Sequence, residues 1–317
     1  MAGSPPEVAG YTDLVPLGGG GAGESFAARR EEDGRPVALR VYGVGDRHRG
    51  PEAPAVQAGV LRLVAGLVPA PEVVAWRAVG PTEPHGLLAT TLVPGVPLSA
   101  VLPTASTALQ QTLGGQLGRI LGRLAGIAMR GPGAFRDERL VLGGYPDHAE
   151  SLVSWWDHHA TGSALDDLSP ARRATLRRLA ARGDGLLAVS RRACLVHGDL
   201  RPHNVLVDGA TGCVTGIVDW EFVHAGHPVE DLGSLLREGR RTPFATAAVE
   251  AMLPWLPEAE QAPPGDLVER ARAADLYWIV EAASRRGQGP TTDRAFEHLV
   301  AMAAGNSLLA EPTSPAG

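Results

Sequence analysis

The sequence predicts an α+β fold in two lobes, a small antiparallel sheet followed by a mainly helical part. Three features lead there. At 317 residues the chain is longer than one compact core usually holds. Before residue 94 the apolar runs are short and partly β-branched, and Asp33-Gly34 sits between two of them with hairpin chemistry. After Pro94-Gly95-Val96-Pro97, apolar residues recur mainly at helical spacing.

In chain order, residues 1–10 are rich in Pro, Ser and Gly and read as a disordered terminus. Residues 14–17, 24–28 and 36–42 read as strands. Residues 55–66 carry Val56, Val60, Leu63 and Val64 on one helical stripe. Strands at 72–79 and 86–93 complete an N-terminal lobe of residues 11–93. The second lobe, 94–310, has helices expected at 107–129, 148–160, 170–189, 229–238, 243–253, 266–286 and 293–309, with Ser169 capping Pro170. Three short strands interrupt it, at 193–196, 205–207 and 213–218, the last two joined by Asp208-Gly209 and Thr211-Gly212 turn chemistry. Residues 311–317 read as a frayed tail.

The formal net charge is −6. That argues against a nucleic-acid binder, which needs a basic face, and weakly favours a cationic small molecule. All 29 basic residues are arginine. No apolar run reaches membrane-spanning length and the first ten residues carry no signal pattern, so the expectation is a cytoplasmic protein, monomer or dimer, with no membrane partner. Cys194 and Cys213 read as two small buried thiols on neighbouring strands rather than a disulfide, in keeping with a reducing compartment.

The chemistry concentrates between Cys194 and Glu221. His197-Gly198-Asp199 is followed by Asn204, then a hairpin, then Asp219. Phosphoryl transfer from a nucleotide needs such a set: one acid orients the attacking hydroxyl, and an amide and a second acid hold magnesium against the phosphates. Taken singly, Asp199 and Asn204 would be turn formers and Asp219 a helix cap. It is the ordered set, on loops held by rigid strands, that points to catalysis.

Gly18-Gly19-Gly20-Gly21-Ala22-Gly23 fits G-x-G-x-x-G. A dinucleotide-binding loop should open a helix. Here a strand follows, so the tract reads as a hairpin tip that covers a triphosphate, and an oxidoreductase reading fails. Arg40, in Val37-Ala38-Leu39-Arg40, stands on the strand where kinases place a phosphate-pairing lysine. It either clamps phosphate oxygens or is an exposed strand arginine. Registering the next helix on Val60-Leu61-Arg62-Leu63 puts Gln57 where a glutamate would orient that base. Gln57 either bonds Arg40 or is polar filler.

On these residues the chain resembles the aminoglycoside phosphotransferase family, small-molecule kinases with a protein-kinase-like fold. The resemblance is carried by HGDLRPHNVLVD (197–208), GIVDWE (216–221) and GHPVEDLGSLL (226–236), with GLLATTLVPGVPL (86–98) similar to the last sheet strand and hinge. It implies that Asp199 is the catalytic base, that Asn204 and Asp219 are magnesium ligands, and that Leu92 and Val93 receive the base of ATP or GTP. It also implies that Asp231 and His197 brace the catalytic loop. The acceptor would be a small, hydroxylated, cationic molecule: an antibiotic such as an aminoglycoside, basic peptide or macrolide, or a metabolite. Its expected lining is aromatic and acidic: Trp155, Asp157, Asp275, Trp278 and Glu281, with Trp156, Asp166, Asp167 and Tyr277 nearby. The alternative reading is a nucleotide-binding pseudokinase with a regulatory role.

Overall fold

The computed structural model describes residues 7–20, 23–42, 50–78, 85–145 and 147–312. The first part is an antiparallel sheet of five strands: β1 (Tyr11–Gly20), β2 (Gly23–Arg30), β3 (Pro36–Tyr42), β4 (Val73–Arg77) and β5 (Gly86–Thr91), in the order β1-β2-β3-β5-β4. The turn between β2 and β3 is tight because Gly34 takes φ +67°, a conformation costly for a side chain with a Cβ. Alternation on β3 sends Val37, Leu39 and Val41 inward to meet Phe26, Ala28, Leu87 and Ala89.

Helix α1 (Ala53–Val64) is buried on nearly every side. Its small residues Ala53, Ala55, Ala58 and Gly59 let it lie between the sheet and the rest of the chain. Two short segments follow β5: β6 (Val96–Pro97) and α2 (Leu98–Val101). Then come α3 (Thr107–Gly126), β7 (Ala128–Met129), β8 (Gly133–Ala134), α4 (Leu152–His159) and α5 (Pro170–Leu187). Ser169 accepts a hydrogen bond from Arg172 N and caps α5, which begins at Pro170.

The chemistry-bearing segment supplies β9 (Ala193–Val196), β10 (Val205–Asp208), β11 (Cys213–Ile217) and β12 (His224–Gly226). These form two small sheets, β11-β10-β6 and β7-β9-β12-β8. The chain ends with α6 (Glu230–Leu235), α7 (Pro243–Met252), α8 (Pro264–Ser284) and α9 (Pro290–Gly305). One apolar core joins α1, α3 and the small sheets, and a second joins α4, α5, α8 and α9.

Several boundaries differ from the sequence expectation. The helix expected at 148–160 begins at Leu152, where Ser151 caps it, and Asp147–Ala149 forms a separate 3-10 turn. The two-residue strands β6, β7 and β8 carry too little pattern to be seen. Cys194 is buried on β9 but Cys213 is exposed on β11, in a different sheet, so the expected pair of buried neighbouring thiols is not found; both are free. The expected disordered and frayed segments lie largely outside the described residues, though Glu311 pairs with Arg240 at 3.1 Å.

Candidate active site

The loop after β9 is built on a buried carboxylate. Asp231, near the start of α6, accepts hydrogen bonds from His197 N (2.8 Å) and Gly198 N (3.0 Å). Burial pushes its carboxyl above the ordinary range, while the two backbone N–H donors pull it back toward the charged form. Gly198 has φ +83°, and a Cβ there would lie 2.3 Å from the Phe222 carbonyl oxygen, so only glycine fits.

His197 is fully buried and both its ring nitrogens are engaged. Nδ1 accepts from Asp199 N (3.3 Å), and Nε2 faces the Val218 carbonyl (3.1 Å), to which only an N–H can donate. The two partners assign the proton to Nε2. The ring packs against Trp220 at 4.6 Å between centroids. An imidazole so occupied holds the loop together and has no nitrogen left for a substrate.

Asp199 is buried beside Asn204. Asn204 Nδ2 donates to Asp199 Oδ2 (3.0 Å) and to the Asp199 carbonyl (2.9 Å), which leaves the Asn204 oxygen as the amide's acceptor. Arg201 Nη2 also donates to Asp199 Oδ2 (2.8 Å). Arg201 Nε lies only 2.6 Å from Oδ1, yet its N–H does not point along that line, so Oδ1 is a buried carboxylate oxygen with no directed donor.

Asp219 joins this group through its neighbour. Val218 N donates to the Asn204 carbonyl (2.9 Å), and Val218 O is the acceptor for His197. Asp219 itself takes the left-handed conformation, φ 65° and ψ 60°, rare for a non-glycine residue and common where function fixes a side chain's aim. It opens the 3-10 turn Trp220–Phe222, which Trp220 Nε1 pins by donating to Ile217 O (2.9 Å).

Arg40 reaches across from β3 and pairs with both Asp219 and Glu221. This revises the expected partner. Gln57 is buried within α1, and the carboxylate that orients the strand cation is Glu221, from the far side of the cleft. Asn204 and Asp219 offer two oxygen donors. That suits magnesium, which keeps waters and is completed by substrate phosphates rather than by an all-protein cage. No cluster of three His, Cys, Asp or Glu side chains able to hold a metal occurs among the described residues.

The glycine tract lies in the β1–β2 hairpin, with Gly18 opposite Ser25, Gly19 opposite Glu24 and Gly20 opposite Gly23. A strand follows it, not a helix. Gly21 lies outside the described residues. Leu92 and Val93 follow β5; Leu92 is exposed, and Val93 packs on Gly216 of β11.

The residues that follow Asp199 border a cavity of about 610 Å³, lined among others by Arg201, His203, Arg237, Glu238, Arg294 and Trp278. Of the residues expected to line an acceptor site, Trp278 is there. The other four are elsewhere, each for a visible reason. Asp275 is fully buried and holds Arg237 (2.6 Å) and Arg272 (3.0 Å). Trp155 packs on Tyr277 and donates to its carbonyl (2.7 Å). Asp157 pairs with Arg177 (2.8 Å), and Glu281 with Arg285 (3.1 Å), both at the surface. Asp166 and Asp167 likewise pair with Arg173 and Arg286, and Trp156 is core. Arg201, Arg237 and His203 were not foreseen as lining. Arg201 and His203 stood in the motif itself, but Arg237 carries no local pattern.

The model of the phosphotransferase enzyme family matches residues 14–263. The viomycin phosphotransferase of Streptomyces vinaceus is 29% identical over 187 residues, which are 56% of this chain. The chain spans about 60% of the length of that curated relative. Among solved structures, an aminoglycoside phosphotransferase in ternary complex with ADP and hygromycin B superposes with a TM-score of 0.58 at 18% identity, covering 93% of this chain and 94% of that one. The ethanolamine kinase of Plasmodium vivax gives 0.58 at 12% identity, covering 93% and 82%. At these identities the likeness is one of fold, and that fold is the two-lobed α+β architecture of the kinases.

Proposed function

The chain belongs to the phosphotransferase enzyme family, and on that premise we propose that it transfers the γ-phosphoryl group of ATP or GTP to a hydroxyl of a small molecule. The observation that carries the reading is the Asp199 carboxylate, held by Asn204 in a loop whose next residues line the cavity. A substrate hydroxyl at that carboxylate is oriented toward the phosphate and can pass its proton to it.

The remaining roles follow from position. The Gly18–Gly23 hairpin covers the phosphates, and residues 92–93 receive the base. Asn204 and Asp219 would hold magnesium, which would supply charge to neutralise the phosphates. Arg40 pairs with Asp219. With phosphates bound, the Arg40 guanidinium would pair with their oxygens and Asp219 would serve the metal, Glu221 keeping Arg40 aimed. Most of the rate then comes from positioning and preorganised charge. The acceptor is either an antibiotic, as for the viomycin relative, or a metabolite alcohol.

The Arg40–Asp219 pair also favours a second reading, a nucleotide-binding pseudokinase in which that pair never opens. Release of ADP or GDP, measured against magnesium with a panel of alcohols, separates the two. Acceptor-dependent release that vanishes in Asp219→Ala supports the enzyme. Nucleotide binding without release in wild type supports the pseudokinase.

A further inference from the structure

We infer that the acceptor is an alcohol bearing an oxyanion, a carboxylate or a phosphate, seated against the arginine wall of the cavity beside Asp199, and not a polycation. The inference rests on the phosphotransferase reading above and names its substrate class. It starts from charge. The chain as a whole is acidic, 35 carboxylates against 29 arginines, yet the cavity lining holds Arg201, Arg237 and Arg294 against one carboxylate, Glu238. Both oxygens of Glu238 are taken, Oε1 by His298 (3.1 Å) and Oε2 by Arg294 (3.1 Å). Against the upward push of burial, these two partners hold its carboxyl down to about 2. An ammonium entering the cavity meets guanidinium groups and a carboxylate already paired.

The layer behind is also positive, three guanidinium groups against two carboxylates. Arg237, Arg240 and Arg272 are buried together and face Asp275 and Glu311. Arg237 and Arg272 are 4% and 1% exposed. Three of their buried nitrogens, Arg237 Nη1, Arg240 Nη1 and Arg272 Nε, have no hydrogen-bond acceptor among the described residues. A buried donor left unpaired is costly, and three in one cluster mark a place where acceptor atoms are missing. Burial, opposed by Asp275 and reinforced by Arg240 and Arg237, lowers the Arg272 guanidinium to about 10, as expected where positive charge outweighs its partners. Trp278 lies over the Arg237 guanidinium at 3.6 Å, with that of Arg201 5.6 Å from the same ring. The aromatic residue expected to recognise a substrate cation is therefore already occupied by the protein's own. Of the three clustered arginines Arg237 lines the cavity, and planar guanidinium groups there match carboxylate and phosphate oxygens.

The test uses the full chain with ATP and magnesium, following ADP release and thermal stability. The probes are gluconate, glucose 6-phosphate, glucose, hygromycin B and viomycin. An oxyanion compound should raise the melting temperature and stimulate release with KM about ten-fold or more below that of glucose, the scale of a charge-assisted hydrogen bond. Gluconate and glucose 6-phosphate distinguish the carboxylate from the phosphate source. Arg294→Gln should raise that KM about ten-fold with kcat nearly unchanged, a larger effect than on the KM for glucose. Arg237→Gln should do more, but it exposes Asp275 to misfolding, so the solvent-edged Arg294 carries the test. Preference for hygromycin B or viomycin, an Arg294→Gln enzyme that binds oxyanions as wild type, or no stabilisation by either oxyanion compound overturns the inference. Release driven by a cation would leave the kinase reading standing, whereas stabilisation by gluconate with no release from any compound would sink the kinase reading alone.

Discussion

The loop around Asp199 and the cavity next to it are adjacent yet built on opposite rules. In the loop most partners are local, from backbone and neighbouring side chains: Asp231 takes two N–H groups, His197 bridges Asp199 N and Val218 O, and Asn204 ties Asp199 down. At and behind the cavity wall, Arg237 Nη1, Arg240 Nη1 and Arg272 Nε lack acceptors among the described residues. A region whose chemistry does not change between substrates can be finished by the fold. One that must recognise a guest keeps valences for it.

Removing a group on the finished side should therefore cost most. Asp219→Ala should abolish magnesium-dependent turnover, leaving release at the uncatalysed background; a variant at wild-type rate would break the comparison outright. Asp199→Asn should lower kcat by roughly 10²–10⁴-fold, the range for a lost general base, with nucleotide affinity retained by calorimetry. Gly198→Ala should destabilise the fold by about 2–4 kcal/mol in urea unfolding, because its positive φ and its approach to Phe222 O leave no room for a methyl. Arg40→Gln sharpens the contrast at the cleft. It should raise the nucleotide KM by about ten-fold, and the dependence on magnesium should shift as Asp219 loses its pairing partner.

The smallest effect is a pH slope. His224 Nε2 pairs with Glu230 at 2.9 Å. Burial alone would lower its imidazole, but Glu230 more than offsets that and the folded value is raised above the usual 6.5. A raised folded value means that the protonated form stabilises the fold fully below 6.5 and that this contribution is lost as pH rises through the folded value. Melting temperature should fall across that window in wild type and be flatter in His224→Gln.

The same contrast explains what the sequence made legible. Asp199, Asn204 and Asp219 fall within 21 positions of one another, with strands and a hairpin between them, so spacing alone brought them together. The sheet was readable for a similar reason, since alternation and the Asp33-Gly34 turn are local. Glu221 as the partner of Arg40 was not, because the pair spans 181 positions and local register pointed to Gln57. The acceptor side was the least readable. Aromatic and acidic residues on α4 and α8 looked like lining, but nothing in a helix pattern says that Asp275 faces Arg237 and Arg272 or that Asp157 meets Arg177. Charges far apart in the chain neutralise one another only once it has folded.

The short strand β6 has a mechanical consequence. It pairs with β10, Val96 opposite Val207 and Pro97 opposite Leu206, so the tether leaving the large sheet is stitched to the hairpin that separates Asn204 from Asp219. Any swing of the sheet away from the helices must be absorbed by residues 92–95, where Thr215 Oγ1 already grips the Pro94 carbonyl at 2.6 Å. The linker between the sheet and β6 is thus four residues long and fastened at its far end to the hairpin that carries Asn204 toward Asp219.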